Sequence, residues 1–151
     1  MPERDSMARM NLIAVARHGI GIAGVPPLGI AIARGLAIEL IGAADAEALA
    51  VQAAGADGEA AWLTRIRGRL RRAPMPPGIA FALRVENGTR VVGSLLVAER
   101  ERDLGDRPGV VVRIGREAVE LDRRDGSAPL PVTPRYVGLD QAAAMVRALA
   151  T

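Results

Sequence analysis

Residues 79–87 alternate: Ile79, Phe81, Leu83 and Val85 take every second position, and the run ends at Asn87 and Gly88. A period of two over this length marks a strand with one buried face, and Asn-Gly between two apolar runs is a strong hairpin signal. Residues 91–98 supply the returning strand. A type I′ turn centred on Asn87 and Gly88 pairs Leu83 with Val92, on the face shared with Phe81, Val85 and Leu96. A strand pair with one apolar face needs a second layer to cover it, so this one stretch already demands a sheet packed under helices.

A second hairpin is expected from Val110, Val112 and Ile114, then Gly115 and Arg116, then Val119 and Leu121. In that register Val112 faces Val119 and Val110 faces Leu121. The helices come from three segments. Residues 44–54, "ADAEALAVQAA", are alanine-rich with acids in the first turn and close at Gly55. Residues 58–73 follow a capping Asp57 and stop at Pro74. At the C-terminus, Asp140 caps a helix whose Leu139, Ala142, Ala143, Val146 and Leu149 form one stripe. In the N-terminal half, residues 12–16 and 20–25 read as strand, 27–34 as a short helix or turn, and 36–41 as strand. The expected fold class is α+β: a mainly antiparallel sheet with a C-terminal four-strand meander, packed by helices on one face. Residues 1–10 are expected to be a flexible tail and residues 11–151 a single domain, a length that holds one core.

Trp62, Phe81 and Tyr136 are the only aromatic residues, so the core must be built from Val, Ile, Leu and Ala. The inventory of reactive side chains is narrow. All 20 basic residues are arginine, there is no cysteine, and His18 is the single histidine. This removes Schiff-base lysines, thiol nucleophiles, disulfides, thiolate metal sites and any two-histidine metal site within one chain. No catalytic residue, metal site or cofactor is expected. Glu99, Glu101, Asp103 and Asp106 interleave with arginines and read as a solvated loop, and Ser127 has no nearby histidine. A lysine-free, alanine-rich chain points to a GC-rich bacterial genome. Residues 12–42 are strongly apolar but broken by Arg17, His18, Pro26, Pro27, Arg34 and Glu39, which favours a buried segment over a membrane span. No secretory signal is read at the N-terminus, and a cytoplasmic location is expected.

Two patterns invite a functional reading. The first is "WLTRIRGRLRR" at 62–72, with five arginines: Arg65, Arg67, Arg69, Arg71 and Arg72. On a helix, Trp62, Leu63, Ile66, Leu70 and Ala73 share one sector and the arginines edge it, their stems lying over apolar surface. The same strip could hold anions or nucleic acid, although the net charge of +3 is small. The second is "GIGIAG" at 19–24, which matches G-x-G-x-x-G and offers Gly19, Gly21 and Gly24 as a nucleotide-binding turn. The neighbouring "GIAIARGLA" resembles the first helix of short-chain dehydrogenases, but Pro27 stands where that family has a glycine and no Tyr-x-x-x-Lys pair exists in this chain. The favoured expectation is a non-catalytic interaction or assembly module, binding itself or another protein. The first alternative is an anion or nucleic-acid binder using residues 65–72. The second is a small nucleotide-binding domain around Gly19, Gly21 and Gly24.

Overall fold

The computed structural model describes residues 16–44, 48–55, 59, 62–64, 66 and 68–150. Among these residues eight strands form one sheet: β1 (Ile20–Ala23), β2 (Leu49–Ala54), β3 (Arg69–Arg72), β4 (Ile79–Asn87), β5 (Arg90–Ala98), β6 (Val110–Ile114), β7 (Val119–Asp122) and β8 (Leu130–Val132). Among the described residues two α-helices accompany them, α1 (Pro26–Ala43) and α2 (Leu139–Ala150). The sheet order is β3-β2-β4-β5-β1-β6-β7-β8. Both predicted hairpins exist, β4 with β5 and β6 with β7. They do not form a continuous meander. The short apolar strand β1 inserts between them and pairs parallel with β5 on one side and β6 on the other. With the parallel pair of β2 and β3, this makes the sheet mixed rather than mainly antiparallel. The reason is burial: all four residues of β1 are buried, and only the middle of a sheet covered on both sides removes such a strand from water.

Three element assignments change. Residues 26–43 are one helix, not a short helix followed by a strand. Ile32, Ala33, Leu36, Ala37, Leu40 and Ile41 are buried in a 3.6-residue repeat, and the alternating isoleucines are incidental to it. Pro26 and Pro27 occupy the first turn, where proline costs least. Gly29 and Gly35 sit inside the helix because neighbours press on it. A Cβ at Gly29 would lie 2.8 Å from the Val97 side chain, and one at Gly35 would lie 3.3 Å from Val137. By length and composition α1 is apolar enough to cross a membrane, and half of it is buried inside the protein.

Residues 49–54 are strand, not helix. Leu49, Val51 and Ala53 are buried on one side, a period-two pattern that alanine's helix propensity masks. Pairing with β3 and β4 on either side overrides that propensity. The single helix expected over 58–73 also fails, because residues 69–72 are β3. Gly68 marks the switch: a Cβ there would stand 2.3 Å from the Leu49 carbonyl oxygen, so only glycine lets the chain swing onto β2.

Turn registers shift as well. Arg90 pairs with Asn87, so the β4–β5 loop is Gly88 and Thr89, and Leu83 faces Leu95 rather than Val92. Gly88 has φ +66° while Thr89 stays at negative φ, the pattern of a type II′ turn rather than type I′. Between β6 and β7 the loop spans 115–118, which sets Ile114 against Val119 and Val112 against Leu121.

Both helices lie on one face of the sheet. Their core takes Trp62, Phe81, Leu83, Val85, Leu95, Val97, Val112 and Leu121 together with Ala142 and Val146 of α2. Among the described residues the opposite face carries no α-helix. A loop over 99–109 crosses its centre and drops Leu104 onto Ala23, Ile79, Ala98 and Val111.

Candidate functional site

The outward positions of the strands determine what the helix-free face presents. In β4, Phe81, Leu83 and Val85 point to the helices, so Ala82, Arg84 and Glu86 point away. Strand register then aligns residues from different strands into transverse rows. One row runs Arg71, Gln52, Arg84 and Ser94, each paired with the next across β3, β2, β4 and β5. It ends at Gly19, where a Cβ would lie 3.3 Å from the Ser94 hydroxyl and 3.2 Å from the Pro108 Cα. A second row carries Arg69, Ala50 and Glu86. A third runs Ala54, Ala82, Leu96 and Gly21, and it is small and apolar.

The polar and apolar rows together make a groove of about 430 Å³. Its floor is Ala54, Ala82 and Leu96, and Pro74, Pro76 and Pro108 contribute to its sides. Gln52, Arg84, Ser94 and Arg107 supply its polar groups. Arg84 is half exposed, and its Nε forms an ion pair with Glu86 Oε1 at 2.9 Å. The Arg107 guanidinium is held by the loop itself, with Nη2 donating to the Asp103 carbonyl at 2.9 Å and Nε to the Leu104 carbonyl at 3.3 Å. Among the described residues no partner takes the Gln52 amide or the Ser94 hydroxyl. Beside the groove, a further hollow over β2 and β3 is lined by Ala50, Gln52, Arg69, Arg71 and Glu86.

The predicted arginine strip is therefore divided. Arg65 and Arg67 lie outside the described residues. Arg69 and Arg71 share the helix-free face with Arg84, while Arg72 points to the other face, beside Ala53, Leu63 and Phe81. Arg69, Arg71 and Arg72 are exposed and have no acidic partner among the described residues. They also line a sheet edge, where charge opposes pairing with a foreign strand. Gln52, Arg84, Ser94 and Arg107 escaped the sequence reading. Arg84 was within reach of it, as an outward position of β4, whereas the predicted register set Ser94 on the buried face and only the observed pairing with Arg84 turns it outward.

The glycine pattern sits in a strand–turn–helix context, with α1 starting at Pro26. The space beside each glycine is filled by protein. A Cβ at Gly21 would meet Leu104 and Pro108 at 2.8 Å, and one at Gly24 would meet Ile114 at 2.7 Å. The α1 N-terminus is equally occupied. Pro26 and Pro27 have no N–H, and the N–H groups of Leu28 and Gly29 both donate to the Val25 carbonyl, at 3.1 and 3.0 Å.

Two charged clusters are structural. Glu59, 5% exposed, accepts from Arg34 through both carboxylate oxygens and from the Trp62 indole N–H at 2.7 Å. Arg34 also donates to the Val137 carbonyl at 2.9 Å, so this knot ties α1 to the Trp62 turn and to the segment leading into α2. On the helix-free face Arg113 bridges Glu101 and Asp122. The hydrogen bond from Arg113 holds the Glu101 carboxyl below its ordinary range, and the two acids push the Arg113 pKa up. The Arg124 backbone N–H, followed by Arg113, does the same to Asp122. The exposed His18 ring accepts from neighbouring Arg17, and Ser127 donates to Asp125 in an exposed loop. Among the described residues no three His, Asp or Glu side chains converge as metal ligands would.

No protein-family model matches this chain, and neither a curated protein nor a solved structure is significantly similar to it.

Proposed function

We propose that this protein is a non-catalytic interaction module that docks an acidic segment of a partner protein on the helix-free face over β3, β2 and β4. The supporting observation is the grouping of Arg69, Arg71 and Arg84 on one face, with Glu86 the single acid of those two rows. Guanidinium groups in a fixed array suit carboxylates through paired N–H donors, and they steer an acidic partner toward the face. Two copies of this face would set arginine against arginine, so the partner is a different chain rather than a second copy.

Nucleic acid is the alternative occupant for the same arginines. Sheet faces that read single strands stack bases on aromatic side chains. This face has none: Trp62 and Phe81 are buried on the other side, and Tyr136 precedes α2. Fluorescence anisotropy with a short glutamate-rich peptide tests the reading. Binding should weaken as salt rises, and Arg69→Ala with Arg71→Ala should remove most of it without lowering the melting temperature. Tighter binding of a single-stranded oligonucleotide than of the peptide would replace the acidic protein with nucleic acid. No binding of either overturns the proposal.

A further inference from the structure

The groove at the inner end of the Arg71, Gln52, Arg84 and Ser94 row differs in character from the arginine-lined edge. Its volume of about 430 Å³ lies in the range of small-molecule sites, roughly 300–1,000 Å³. Its floor is made of methyl groups and a leucine side chain, and three prolines stiffen its sides. Polar donors stand along one flank: Arg84, Gln52 and Ser94 from the sheet, and Arg107 from the loop. From these features we propose that the groove is a binding site for an aliphatic monocarboxylate, a free organic acid with a hydrocarbon body.

The charge balance selects a monoanion. Arg84 and Arg107 bring two positive charges to the lining, and Glu86 on Arg84 cancels one of them. A phosphate dianion would be left partly uncompensated, whereas one carboxylate balances the site. The donors are suited to it. The Nη groups of Arg84 remain available beyond its contact with Glu86, Arg107 keeps Nη1, and the Ser94 hydroxyl has no other partner among the described residues. Arg107 is already fixed by the Asp103 and Leu104 carbonyls, so little side-chain entropy is lost when the ligand arrives. The floor selects the body. A surface of alanine, leucine and proline buries methylene groups and gives a planar ring nothing to stack on. Gly21 and the packed loop close the far end, because Leu104 and Pro108 fill the space beside that glycine.

The site shares Arg84 with the proposed docking face, but the two are separable by variants. Octanoate titrated into the full chain, followed by calorimetry and by amide chemical shifts, is the direct test. We expect saturable binding, with shifts at Ala82, Arg84, Ser94 and Leu96. Arg84→Gln should weaken it by about tenfold or more, since a charge-assisted hydrogen bond is lost. Arg84 is half exposed, so the variant should fold. Ala82→Leu, which fills the floor, should weaken octanoate while sparing the acidic peptide. Arg69→Ala with Arg71→Ala should do the reverse. If octanol binds as well as octanoate, if inorganic phosphate competes equally, if Arg84→Gln changes nothing, or if octanoate fails to bind, the assignment is overturned. Loss of peptide binding alone would overturn the docking proposal and leave this one standing.

Discussion

The two faces of the sheet use their charged groups differently. On the helix face the Glu59 carboxylate is sealed under α1 and the Trp62 turn, and Arg34 and the Trp62 indole donate to it. On the helix-free face Arg113 bridges Glu101 and Asp122 where water still reaches all three. The first arrangement is one whose disruption leaves a charge stranded in a dry core. The second is screened, and its parts are replaceable. The same contrast separates the two kinds of site in this molecule. The charges that pin α1 to the Trp62 turn are buried and paired, whereas Arg69, Arg71 and Arg84 are exposed.

The largest expected effect is on the buried side. Glu59→Ala strands the Arg34 guanidinium and the indole N–H, and should cost about 3–5 kcal/mol in chemical denaturation. Trp62→Ala should fall in the same range, about 3–5 kcal/mol, because the indole is 1% exposed. A loss below about 1 kcal/mol for Glu59→Ala would erase the contrast between the faces, since that is the scale of an exposed pair.

A smaller loss is expected where the loop seats on the sheet. Gly21→Val places methyl groups into Leu104 and Pro108, and should cost about 1–3 kcal/mol by overpacking. Backbone amide exchange should then rise first across 99–109, before it rises in α1. Uniform loosening would mean that the two faces are not independent.

Gly88→Val isolates backbone strain. A Cβ there meets nothing within 4 Å, so the whole cost comes from φ +66°. Roughly 1 kcal/mol is expected, with Gly88→Asn milder because asparagine tolerates that region. Equal stability of both variants and the parent would show that the turn conformation is wrong.

Arg113→Ala should be the mildest change, about 1 kcal/mol or less at neutral pH. Its pH dependence follows from the depressed Glu101 and Asp122 carboxyls. Groups with lowered folded pKa values stabilise the fold above the ordinary carboxylate range, near pH 4, and that contribution disappears as pH falls through the folded values. The difference in melting temperature between the parent and Arg113→Ala should therefore be constant above about pH 5 and shrink below about pH 4. A difference that grew on acidification would reverse the assignment.

Local rules carried part of this structure. Period-two alternation located both hairpins, and the stripe in 139–149 located α2, because each element has one buried face that its own sequence records. The burial of Trp62 was also visible. The same rules failed for residues 44–54 and 69–72. Alanine and arginine favour helix in isolation, but β2 and β3 exist because each supplies the other with backbone partners from a distant part of the chain. They failed again for residues 36–41, read as strand, where α1 continues past the closely packed Gly35.

The candidate site follows the same division. Side-chain chemistry is a property of the sequence, so the chain by itself determined an arginine-only basic set, a core poor in aromatics and a lack of thiol and lysine chemistry. It also determined that two strand pairs would need cover on one side. Tertiary structure alone decided that Gln52, Arg84 and Ser94 stand in one row, that Arg71 joins them while Arg72 turns away, and that the space beside Gly21 holds Leu104. The physical reason is that strand register is fixed by hydrogen bonds between segments remote in sequence, and a slip of one residue would send every one of these side chains to the opposite face.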